Sequence, residues 1–184
     1  MSFLDILLDR TFAYTWIGFT LLFGLSATLS SALYFSYDEQ VKGLVEELIA
    51  ERMEQLEGLP LPDELLFAVI FSNNAVIALV SSLLSFSLIV PLLIIMFNGA
   101  VVGFLISAVS AEASLGPLLG VGTYFLLAPH GVLEVPALSL ASSAVVGILA
   151  RKNYPRFVIA SSLLALLMLL HAALVEQLLF LLAR

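Results

Sequence analysis

Residues Ala128 to Glu134 read Ala-Pro-His-Gly-Val-Leu-Glu, inside a chain that is otherwise almost entirely hydrocarbon. His130 and Glu134 are spaced i, i+4, so a helix puts both on one face. An imidazole and a carboxylate so placed can hydrogen-bond each other, ligate a divalent cation, or work as an acid/base pair. A charge at mid-bilayer costs roughly 2.5–3.5 kcal/mol on insertion scales, so such residues are kept only for a purpose. Three readings follow. The first is a structural pair that closes an interrupted helix together with Asn73, Asn74 and Asn98. The second is a divalent-metal or proton site in which His130 and Glu134 are joined by His171 or Glu176. The third is an intramembrane hydrolase, for which the sequence offers no nucleophile or metal triad. His-Glu-x-x-His, Gly-x-Ser-x-Gly, phosphate-binding loops and paired catalytic aspartates are all missing, so a non-enzyme is expected, with no certain cofactor.

Composition sets the surroundings of these residues. Of 184 residues 61% are apolar and 11% charged, and mean hydropathy is +1.12. Soluble domains run near a quarter charged, so an integral membrane protein is expected, partnered first by the lipid bilayer. With no cysteine, disulfides, thiolate metal sites and cysteine nucleophiles are excluded. A net charge of −7 argues against nucleic acid, which needs a basic stripe. The start lacks the basic n-region and small-residue cleavage site of a signal peptide, and is expected to be retained.

The elements that position the polar residues follow from apolar run lengths. The sequence predicts an all-α bundle of about five transmembrane helices in a single domain 1–184. The spans are about 12–35, 65–87, 91–111, 115–150 and 157–182, since one crossing needs roughly 20 residues. Tyr14 and Trp16 lie ~30 Å from Tyr34 and Tyr37 along a helix, as an aromatic belt on each side would require. Span 115–150 is too long for one helix and short for two. It predicts a discontinuous fourth crossing, broken over 129–136 by Pro129, Gly131 and Pro136, whose irregular backbone must be buried. Small residues recur every fourth position at Thr20, Gly24, Thr28 and Ala32, and again at Gly99, Gly103, Ser107 and Ala111. Both runs are expected helix-packing stripes. In the last span Ser161, Ala165, Met168, Ala172 and Glu176 share a face.

Between the first two spans, segment 36–64 carries nine of the fourteen acidic residues. Ser36 and Glu39 suggest a capping box. The apolar spacing from Val41 to Leu56 then predicts an amphipathic extramembrane helix, ended by Gly58, Pro60 and Pro62. Its acidic face disfavours anionic membrane surfaces and suits a docking helix, including one that self-associates. The positive-inside rule places Arg10, Arg151, Lys152 and Arg156 in the cytoplasm. The N-terminus is then cytoplasmic, with the C-terminus and 36–64 outside a cell membrane.

Phe71-Ser72-Asn73-Asn74, then Asn98-Gly99 with Gly103, then Pro129 to Ala137 with its Pro-His-Gly-x-x-Glu core and trailing Pro-Ala, resemble the stage II sporulation protein M family. The resemblance runs from about Asp63 to the C-terminus and leaves out the 36–64 insert. It implies an all-helical multi-pass bundle. In spore formers it implies a non-enzymatic scaffold that localises cell-wall hydrolases at the septum during engulfment. The family also extends to organisms that do not sporulate. The partners are not implied by the resemblance: the small-residue stripes and the 36–64 helix make a second copy, as a homodimer, or other membrane and extracytoplasmic proteins the expected ones.

Overall fold

The computed structural model describes residues 5–6, 8–37, 39–40, 42–44, 47, 63–112, 131–150 and 153–182. The protein is an all-α bundle. Its helices are α1 (Arg10–Ser36), α2 (Asp63–Leu83, ending in a 3-10 turn at Leu84–Phe86), α3 (Ile89–Glu112), α4 (Gly131–Ser142) and α5 (Tyr154–Leu182). A 3-10 turn at Ser143–Val145 carries α4 into a last turn at Val146–Leu149. Among the described residues three helices have stretches long and apolar enough to cross a membrane: Arg10–Ser36, Ile89–Ala108 and Tyr154–Val175. Phe71–Phe86 and Leu133–Leu149 are shorter apolar helices.

Helix ends follow local chemistry. The Asp9 carboxylate caps α1, accepting from the backbone N–H groups of Thr11 (3.0 Å) and Phe12 (3.2 Å), which satisfies two otherwise orphaned donors. Pro91 sits at the third residue of α3, within the first turn, where its missing N–H costs no hydrogen bond. Ser36 does not make the expected capping box. Its hydroxyl donates back to Leu33 O at 2.7 Å, while Glu39 instead pairs with Lys42 at 2.8 Å. Between α1 and α2 the described residues Glu39, Gln40, Lys42, Gly43, Leu44 and Glu47 are helical, the rest of 38–62 lies outside the described residues, and Asp63 and Glu64 belong to α2.

Paired positions fix the direction of every helix. Ser26 donates to Met96 O, Ser30 to Ala100 O, and Ser107 to Ser31 Oγ, so α1 and α3 are parallel. Asn74 meets Glu134 and Ser81 meets Ser142, so α2 and α4 are parallel. Ser82 faces Ser161 and Ser85 faces Tyr154, so α2 and α5 are antiparallel. The Phe12 ring lies 5.9 Å from that of Phe157, while Phe19 and Phe23 share a cluster with Ala165 and Leu169, so α5 runs with α1. The order is therefore strictly alternating, and Arg10 and Arg156 come to the same end of the bundle.

A core of Phe19, Phe23, Ala78, Ile95, Leu138 and Leu169 draws on all five helices. The closest approach is between α1 and α3. A Cβ on Gly99 would stand 2.6 Å from Phe23 O, and one on Gly103 would collide with Ala27 O and Ser30 Oγ. The Gly99, Gly103, Ser107 stripe is thus a packing seam, as its spacing suggests. The other stripe is not. Among the described residues nothing lies within 4 Å of a Cβ on Gly24, and Ala32 is exposed. Instead α1 turns Phe23, Ala27, Ser30 and Ser31 inward. The belt is corrected too. Tyr34 is fully buried and Trp16 donates its indole N–H to Pro136 O at 2.9 Å, leaving Tyr14 and Tyr37, one toward each end of α1, as the outward aromatics. Small-residue spacing marks one face of α1, but it is the face of Phe23 and Ala27 that packs against the glycines of α3.

The helix predicted to break at Pro136 runs through it. Proline removes one hydrogen bond, to the carbonyl of Val132, and the chain tolerates this in the second turn of α4. Gly131 is the first described residue of α4. Pro129 and His130 lie outside the described residues, as does all of 113–130.

Because the α1–α3 backbones touch at Gly103, Gly103→Val is expected to lower stability by about 1–3 kcal/mol, the usual cost of overpacking. Gly24→Val, on an open face, should change it by less than about 0.5 kcal/mol. Thermal unfolding of both variants in one detergent checks this.

Candidate functional site: an intramembrane carboxylate and its polar seam

Glu134 stands in the first turn of α4, where the positive end of the helix dipole favours an anion. The Asn74 side-chain amide donates to Glu134 Oε1 at 2.7 Å. Asn74 lies eleven residues along α2 from Asp63, which is ~16 Å of helix, so the pair sits deep between the helix ends. Two residues on, the Trp16 indole holds the Pro136 carbonyl. Three helices, α1, α2 and α4, therefore converge on one turn of backbone around the carboxylate.

A second polar feature continues along the same helices. Ser81, Ser82 and Ser85 of α2, Ser139, Ser142 and Ser143 of α4, and Ser161 of α5 are all fully buried. Ser81 and Ser142 hydroxyls are 2.7 Å apart, and Ser142 donates to Leu138 O at 2.9 Å. A hydroxyl has one proton, so Ser81 donates to Ser142, which passes its own to the backbone. Ser82 donates to Ala141 O at 3.0 Å. The Tyr154 hydroxyl lies 3.0 Å from Leu83 O and 3.2 Å from Ser85 Oγ. Among the described residues no buried side-chain nitrogen or oxygen lacks a partner. The seam stitches α2 to α4 and α5 from Asn74 down to Tyr154.

The remaining predicted site residues go elsewhere. Asn98 donates to Ile94 O of its own helix at 2.8 Å and lines a groove of about 550 Å³ between α2 and α3. Asn73 is exposed. His171 is exposed, with Nδ1 2.7 Å from Leu167 O, and its ring turns away from the face of α5 that carries buried Ala165, Leu169 and Ala172. That face is the one expected for Glu176, whose side chain lies outside the described residues, like His130. Of the five polar residues expected to converge, Asn74 and Glu134 are brought together, and Asn73 and Asn98 are not. No three His, Asp or Glu side chains among the described residues come together as a metal site would need. Sequence reasoning missed the serine seam. Its signal was there in Ser81, Ser82, Ser85 and Ser139, Ser142, Ser143, each set at helical spacing on one face.

Residues 19–179 match the sequence profile of the family described as stage II sporulation protein M. The chain belongs to that family. The matched range begins within α1 and takes in the acidic segment, wider than the resemblance from Asp63 onward suggested. No curated protein and no solved structure matches the chain. A multi-pass membrane protein of the stage II sporulation protein M family thus carries an asparagine–glutamate bond in the interior of its bundle.

Removing the carboxylate takes from the half-buried Asn74 amide the acceptor it holds at 2.7 Å. Glu134→Ala is expected to destabilise by about 1–3 kcal/mol, whereas Glu134→Gln keeps an acceptor oxygen and should cost distinctly less. Equal losses for the two, read by chemical unfolding in lipid–detergent micelles, would show that the hydrogen bond is not what Glu134 supplies.

Proposed function

We propose that this protein is a non-enzymatic membrane scaffold, an interaction protein whose interior polar groups serve the fold and whose outer segments serve partners. The observation that carries this reading is the bond from Asn74 to Glu134. The carboxylate that would have to act in transport or catalysis is engaged by an amide from a neighbouring helix, and the seam beside it is internally satisfied. Buried polar groups are mostly structural when their partners are complete.

Five crossings are the count that best fits. The helices alternate in direction, and Arg10 and Arg156 fall at one end, as the positive-inside rule asks. The N-terminus would then be cytoplasmic, and the C-terminus and the acidic 36–64 segment would face outward. That segment leaves from the end of the bundle opposite the basic residues. In spore formers, family members position cell-wall hydrolases, and an outward acidic helix is a suitable handle for an extracytoplasmic partner or a second copy.

Two measurements test the proposal. The chain has no cysteine, so single cysteines at Glu47 and at Asn153 should label oppositely with a membrane-impermeant thiol reagent in intact cells, Glu47 reactive and Asn153 protected. Partners co-purifying with the full chain should be lost when residues 38–57 are deleted. Capture that is unchanged by the deletion, or absent with both forms, would contradict the docking role.

A second reading is favoured by Glu134's place in the first turn of α4, at the depth of the middle of α2. Transporters set substrates at such half-helix starts, and His130 would be the neighbouring ligand. A cation-binding protein of this kind should gain several degrees in Tm on adding Zn²⁺, Mn²⁺ or Ni²⁺ and lose them with chelator. The scaffold reading expects no change.

A further inference from the structure

The groove between α2 and α3 has an oddity at its floor. These helices are consecutive, yet they diverge, because α3 packs on α1 through its glycines while α2 packs on α4 and α5 through its serines. The opening left between them is lined by Val76 and Val80 of α2 and by Leu93, Phe97 and Asn98 of α3. All are apolar except Asn98. Its position is the tenth of the twenty residues in the apolar stretch Ile89–Ala108, the middle of a crossing. One N–H of the amide is used on Ile94 O. Its second N–H and its carbonyl oxygen have no partner among the described residues.

Acyl chains fit the apolar walls but offer nothing to this amide. A second copy of the same groove offers both a donor and an acceptor, since two carboxamides facing each other complement one another completely. Phe97 is 70% exposed, a large ring standing beside a hollow, and a two-fold interface requires one patch to hold both knob and hole. We propose that this protein forms a two-fold homodimer through the α2–α3 groove, with Phe97 of each copy seated in the groove of the other. The Asn98 amides bond across the axis at mid-membrane. Polar amides on apolar helices are an established means of association in lipid. The inference deepens the interaction-protein reading by naming a second copy as one partner and the place where it binds.

The natural chain lacks cysteine, so single replacements report proximity directly. In native membranes, Phe97→Cys and Val76→Cys are expected to cross-link to dimers on mild oxidation, while Leu25→Cys on α1 and Leu163→Cys on α5, both on exposed faces, stay monomeric. In bilayers, energy transfer between labelled copies should show Asn98→Leu weakening the dimer about tenfold and Asn98→Gln retaining it. Because Asn98 bonds only to its own helix among the described residues, Asn98→Leu should keep the melting temperature of the monomer, which guards against misfolding as the cause. A monomer at every protein-to-lipid ratio would overturn the proposal. So would cross-linking through α1 or α5 in place of the groove, or a photo-reactive residue at position 97 that labels only lipid or a different protein. A dimer with no outside partner would sink the scaffold reading alone, and a partner held by a monomer would sink this inference alone.

Discussion

A carboxylate inside an apolar helical bundle has to be given a donor, and Glu134 is given the amide of Asn74. Much of the arrangement follows from that requirement. It holds α2 and α4 parallel and in one register, with Ser81 and Ser142 falling opposite each other two turns further along. It also keeps the first turn of α4 within reach of α1, so that the Trp16 indole can hold Pro136 O. In lipid there is little hydrophobic force between helices, and close packing with internal hydrogen bonding has to hold them together. This bundle divides the two tasks. The α1–α3 pair is joined by near-contact of backbones at Gly99 and Gly103, while α2, α4 and α5 are joined by hydroxyls and one carboxylate.

The division has a geometric consequence. Two consecutive helices, α2 and α3, belong to different halves of the bundle and part from each other, exposing Asn98 along an apolar groove. A polar side chain in the middle of a crossing is costly unless something answers it. Asn74 meets that cost within the fold, through Glu134, whereas the half-buried Asn98 meets it only in part, through Ile94 O of its own helix.

Much of this was legible in the sequence, and what was not has identifiable causes. Run lengths placed α1, α2, α3 and α5 within a few residues, because lipid thickness constrains length strongly. The Gly99, Gly103, Ser107 stripe was readable since few other residues permit that approach. The stripe at Thr20, Gly24, Thr28 and Ala32 has the same spacing but is only half-buried, with Ala32 exposed, since spacing alone does not say which face meets a neighbour. Sequence position suggests an interfacial belt for Tyr34 and Trp16, whereas the bundle buries Tyr34 fully and holds the half-buried Trp16 by its bond to Pro136 O. Pro136 was read as a break from its residue type, yet a proline early in a helix forfeits only one bond. Glu134 was recognisable as a residue that needs a partner, and asparagine was the right class of partner. Which asparagine depended on tertiary register, which no local pattern encodes. The serine seam went unseen because serines in apolar helices read equally well as small packing residues.

The register of α2 against α4 depends on a specific coupling between Asn74 and Glu134, and a double-mutant cycle measures it most directly. Asn74→Ala, Glu134→Ala and the double variant would be unfolded under identical conditions in bilayer-like micelles. The predicted result is a coupling of about 1–2 kcal/mol, the double variant losing less than the sum of the singles. Losses that add to within about 0.3 kcal/mol would contradict it, since the two side chains would then act independently.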